Sequence, residues 1–184
     1  MSKHNHKKVQ TKSLQQQYQS CPRANFLKRL GAYIYDLFAV SAVLMLAGIV
    51  AIIVVIIASS TGLINLDAYQ DVADFLATSQ IFALYLAFIV IGFYSYFWTR
   101  GGQTIGMKAW RLRLQNSDGS NISFTQSLIR MATSAFGLGN FLVFFGKKSA
   151  FQDQWAECEM VVLTKELSHW KGFKGMAFMD QDKK

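Results

Sequence analysis

The segment "LFAVSAVLMLAGIVAIIVVIIA", Leu37–Ala58, runs for 22 residues without a charge. About 20 apolar residues carry a helix through the roughly 30 Å hydrocarbon core of a bilayer, so this run is long enough to span a membrane unaided. A second uncharged run extends from Phe75 to Thr99, and a third, Met131 to Gly146, is shorter and interrupted by "GLGN". With 52% of residues hydrophobic and 16% charged, the charges are confined to a few blocks between these runs. The expected fold class is an all-α membrane protein with transmembrane helices over about 30–58 and 76–98. The third segment, about 128–146, is expected to be either a re-entrant hairpin or a third span. The first run follows about thirty polar residues and exceeds the apolar stretch of a secretory signal, so it reads as a retained span.

Lysine and arginine are distributed unevenly. Seven precede the first run up to Arg29, none lie between Ser59 and Gln80, and five fall from Arg100 to Arg130. The positive-inside rule then places the N-terminus in the cytoplasm of a cell (inner) membrane, in multi-pass topology. The connection carrying Asp67, Asp71 and Asp74 is expected outside. The third run has Arg130 at its start and Lys147 and Lys148 at its end, so both ends prefer the same side. Gly137 and Gly139 each weaken a helix there by about 1 kcal/mol relative to alanine, which favours the returning form.

Three regions follow. Residues 1–22, polar and glutamine-rich, read as a disordered basic tail; 23–163 form the membrane domain; and 164–184 form a basic aromatic tail in which Trp170, Phe173, Met176 and Phe178 alternate with Lys171 and Lys174. Pro22 stands just ahead of the first helix, where its missing N–H costs nothing. Between the spans, "AWRLRLQNSDGSNISF" alternates Trp110, Leu112 and Leu114 with Arg111 and Arg113, passes a turn, and resumes at Ile122 and Phe124. That pattern predicts a small cytoplasmic β-hairpin.

Chemical motifs are weak. "GGQTIGMK" lacks the lysine directly after the second glycine and the hydroxyl residue that a phosphate-binding loop needs. No hydrolase signature occurs, and the "NIS" at Asn121 falls in the cytoplasmic connection. His4 and His6 in a tail make a poor metal site, and Cys21 and Cys158 form no Cys-x-x-Cys pair. The chain is expected to be no enzyme, to hold no cofactor or metal, and to bind no nucleic acid, because its formal charge of +8 flanks apolar spans.

Arg29 and Asp36 remain. Seven residues apart on a helix, they point within about 20° of one direction and stand roughly 10 Å apart along the axis. Both are either wet at headgroup depth or, if buried, matched by protein groups, because an unmatched aspartate in the bilayer is costly. "FLKRLGAYIYDLF", "GGQTIGMKAWRLRLQNSDGSNISFTQSLIRM" and "KKSAFQDQWAECEMVV" together resemble the RDD family of small prokaryotic integral membrane proteins. The resemblance runs from about Ala24 to Leu163. It implies an Arg-Asp-Asp set of Arg29, Asp36 and Asp153, and a motif of Thr104, Gly106, Lys108, Gly119 and Arg130. This sequence departs from the family in placing Lys108 one position late after Gly106, and in the residues Trp155, Glu157 and Cys158 that follow Asp153. The resemblance also implies a bacterial plasma membrane protein of unsettled molecular role. One expectation is transport of a cation or small solute by a homo-oligomer, or with a membrane protein partner, Asp36 carrying the ion or proton and Arg29 setting its charge. The alternative is a non-transporting membrane scaffold or accessory subunit in which the set is a structural clamp.

Overall fold

The computed structural model describes residues 14–134 and 151–168. Its elements are α1 (Phe26–Ser60), α2 (Val72–Thr78), α3 (Gln80–Gly101), α4 (Ile105–Ala109), β1 (Leu112–Gln115), α5 (Phe124–Ser134), α6 (Phe151–Trp155), β2 (Glu159–Val162) and α7 (Lys165–Ser168). A helical turn over 14–19 precedes them. Among the described residues, α1 and α3 are the two helices long and apolar enough to cross a membrane.

Their boundaries follow from local chemistry. Asn25 caps α1 by accepting from the Lys28 N–H, and Ser79 caps α3 by accepting from the Phe82 N–H. Gly102 ends α3 at φ +65°, a left-handed conformation that a side chain would strain. At 1.5 Å per residue the 35 residues of α1 measure about 50 Å, well beyond the hydrocarbon core, so its first turns can stand outside it. Phe38, Met45, Leu46, Ile49, Val50, Ile53 and Ile57 are exposed on the remainder. In water so broad an apolar surface would be a liability; in lipid it is solvated. The two helices run antiparallel, with the Tyr85 hydroxyl 3.4 Å from the Ala47 carbonyl and Trp98 clustered with Ala32.

The compact core lies at the end where α1 begins and α3 finishes. There β1 and β2 pair antiparallel, Leu112 opposite Val162 and Gln115 opposite Glu159. The segment Pro22–Ala24 lies along the other edge of β2: Ala24 N–H donates to the Met160 carbonyl and Val162 N–H to that of Pro22, both at 2.8 Å. Leu112, Leu114 and Val161 are fully buried.

The hairpin expected between residues 110 and 124 is not formed. The alternation over Leu112 and Leu114 does mark a strand, and the "NSDG" turn closes with Gly119 N–H on the Asn116 carbonyl. The partner strand, however, comes from 44 or more residues later. Ile122 is buried outside any strand and Phe124 opens α5. The cause is a reciprocal cap: Ser123 Oγ accepts from the Gln126 N–H, and Gln126 Oε1 accepts from the Ser123 N–H. That cap commits the chain to a helix where a second strand was expected.

The described part of the expected third segment, 128–134, belongs to α5, whose buried residues are Ser127 and Arg130. Residues 135–150, and with them the choice between a re-entrant hairpin and a crossing, lie outside the described residues, as do the tails 1–13 and 169–184. The helices on either side, α5 and α6, pack together, so the chain re-enters the described structure at the end where it left it.

Candidate functional site

Two buried carboxylates organise this end of the molecule, each with its own donors. Asp153, from α6, lies between two arginines: Arg29 Nη1 of α1 stands 2.6 Å from its Oδ2, and Arg130 Nη1 of α5 donates to its Oδ1. Arg29, Arg130 and Asp153 each expose about 2% of their surface. Such burial is tolerable only because the charges are matched. Arg29 Nε donates to the Ala24 carbonyl at 3.1 Å, and Arg130 Nη1 reaches Cys158 Sγ at 3.4 Å, while its guanidinium lies 5.4 Å from the Trp98 ring centroid. Burial pushes the Asp153 carboxyl up, but the fields and hydrogen bonds of Arg130 and Arg29 outweigh this and hold it below the usual carboxylate range. Arg130, whose charge burial opposes, is held above its ordinary value by Asp153. Burial raises the Cys158 thiol. Cys21 and Cys158 are both free and buried.

Asp36 makes a different set of contacts. Its Oδ2 accepts from the Thr104 hydroxyl at 2.5 Å and its Oδ1 from the Gly106 N–H at 2.8 Å. Thr104 also caps α4, accepting from the Met107 N–H. The carboxylate thus binds the α4 N-terminus, where exposed N–H groups favour negative charge. Gly106 is required for this approach: a Cβ on it would overlap the Ala32 carbonyl and lie 2.9 Å from Asp36 Cγ. Lys108 is exposed in the last turn of α4 and Gly119 sits in the turn after β1.

The Arg-Asp-Asp set is therefore divided. Arg29 and Asp153 form an ion pair, whereas the donors to Asp36 are Thr104 and Gly106. Both Arg29 and Asp36, at 2% and 4% exposure, are buried and not wet. Arg130, which charge counting assigned to membrane orientation, is the second partner of Asp153; the family motif named it without a role. Ser127 and Ser95, buried and 3.1 Å apart, join α5 to α3, and Gln103 Nε2 donates to the Leu112 carbonyl. None of these carried a sequence signal beyond polarity in an apolar context.

No curated protein and no solved structure matches the chain. A family model, RDD family, matches residues 23–157, which takes in both carboxylates and the donors to them. With that match over well over half of its length and two apolar helices of spanning length, the chain is a membrane protein that belongs to the RDD family.

Proposed function

We propose that the chain is a non-transporting scaffold or accessory subunit of the cytoplasmic membrane. In this reading it is multi-pass with a cytoplasmic N-terminus, and it acts through a second copy of itself or a membrane protein partner. The observation that carries the reading is the Arg29–Asp153–Arg130 cluster, which draws α1, α5 and α6 together with each oxygen of the central carboxylate in an ion pair. Buried charges arranged this way hold a shape. Neither enzymatic chemistry nor nucleic-acid binding enters the reading.

The test is an ordered series of variants measured by membrane abundance and thermal midpoint. Asp153→Asn leaves two arginines facing each other and should be worst, costing about 3–5 kcal/mol. Arg130→Gln should follow, since it also removes the Cys158 and Trp98 contacts. Arg29→Gln leaves the neutral Arg130–Asp153 pair and should be mildest. Arg29 with Asp153 should show a double-mutant coupling of about 0.5–3 kcal/mol, and Arg29 with Asp36 less than that. Wild-type abundance and midpoint in Asp153→Asn would overturn the clamp.

A second reading, cation or solute transport, draws on one observation: Asp36 lines a cavity between α1, α3 and α5. Two spans do not enclose a pathway, so transport would proceed in an oligomer. Asp36→Asn should then abolish ion flux in vesicles while insertion stays normal, and unchanged flux would exclude the role.

A further inference from the structure

The same cavity, about 560 Å³ and partly open, has two unlike ends. At one end are Arg29, Arg130 and Trp98; at the other, aliphatic Val40, Val90 and Ile91. Asp36 lies between them on α1, but its two oxygens are taken by Thr104 and Gly106. At the first end Arg29, Arg130 and Asp153 together leave one positive charge, and the negative charge of Asp36 lies seven residues, about 10 Å, farther along α1. Arg29 Nη2 and Trp98 Nε1 are buried nitrogens without a hydrogen-bond partner, and both residues line the cavity. A buried donor left unsatisfied is costly, so two beside that local positive charge call for an anionic acceptor.

We propose that this cavity is a binding site for an anionic phospholipid. The phosphate is taken by Arg29, Arg130 and the Trp98 N–H, and one acyl chain lies along Val40, Val90 and Ile91. Phosphate oxygens supply acceptors that suit guanidinium donors. The aliphatic end offers nothing to a free anion, and in a zwitterionic lipid the choline cation beside the phosphate offsets the attraction of the positive end. A volume within the roughly 300–1,000 Å³ of small-molecule sites fits one chain and a phosphate, with the rest of the lipid in the bilayer. The exposed apolar faces of α1 and α3 place that bilayer beside the cavity. The proposal is independent of the scaffold reading, because it concerns occupancy of the cavity and not the strength of the clamp.

The test uses the full-length protein in a mild detergent, with its melting temperature followed during titration with phosphatidylglycerol, phosphatidylcholine or inorganic phosphate. Phosphatidylglycerol should raise it saturably, phosphatidylcholine should need at least about tenfold more, and inorganic phosphate should leave it unchanged. Trp98→Phe removes the N–H donor along with the five-membered ring of the indole, so half-saturation, read against the variant's own lipid-free melting temperature, should weaken about tenfold. Val90→Trp fills the aliphatic end and should abolish the response. An equal response to phosphatidylcholine, an equal response to inorganic phosphate, or wild-type half-saturation in Trp98→Phe would each overturn the proposal.

Discussion

Asp153 is the residue on which most of the buried charge depends, and its ionisation should be visible in stability. Its carboxyl is held below the ordinary unfolded value of about 3.9 by Arg130 and Arg29, against the opposing effect of burial. A depressed carboxyl binds its proton more readily in the unfolded chain, so its contribution is fully present above that value. It is lost as pH falls through the lower, folded one. Thermal midpoints of wild type and Asp153→Asn, measured in detergent from pH 7 to pH 3, should therefore differ most near neutrality and draw closer as the pH falls below about 3.9. A gap of constant width across that range would show that Asp153 does not supply the acid sensitivity. Arg29 reaches the same carboxylate from the opposite side, and its position seven residues before Asp36 has a simple consequence. The two share a face of α1 but address different neighbours, Arg29 meeting α6 and Asp36 meeting α4.

Between elements, the tightest contact is that of α4 with α1, and Gly106 makes it possible. A methyl group there would meet the backbone carbonyl of Ala32, which no rotamer change can move, so α4 would have to withdraw from Asp36. Gly106→Ala should lower stability by about 1–3 kcal/mol and should leave Asp36→Asn less harmful in its presence, as read by thermal midpoints of the four proteins. Strict additivity would mean that α4 and Asp36 are not coupled. The sequence made the two long helices legible because uncharged length alone identifies them. It also made β1 legible, because Leu112 and Leu114 alternate with Arg113. The pairing of β1 with β2 was not legible, since four residues of "EMVV" carry too little pattern to name a partner across 43 intervening positions. The missed helix start at Ser123 did have a signal, serine followed three residues later by glutamine, which the apolar Ile122 and Phe124 obscured. Resemblance singled out Arg29, Asp36 and Asp153, but the division of the set depends on where α4 and α6 pack, and helix periodicity says nothing of that.

At the scale of the whole molecule, the sheet ties the chain's sidedness together. β1 follows the second span, β2 follows residues 135–150, and they pair along their full lengths, so Ser117 and Lys165 must lie on one side of the membrane. In the proposed topology that side is the cytoplasm, as the contrast of zero against five lysines and arginines between the two connections predicts, since charges on short loops resist translocation. Single cysteines can test both statements in a protein with Cys21→Ala and Cys158→Ser, the serine keeping an acceptor for Arg130. Asp67 is the better external position than Asp71, whose side chain caps α2. A membrane-impermeant maleimide applied from outside should label Asp67→Cys and spare Ser117→Cys and Lys165→Cys, all three positions being exposed on the folded chain. Labelling of Ser117→Cys and Lys165→Cys with Asp67→Cys spared would invert the orientation while leaving the fold intact. Labelling of only one of Ser117→Cys and Lys165→Cys would break the β1–β2 pairing itself, and with it the route by which Asp153 is brought back to Arg29 and Arg130.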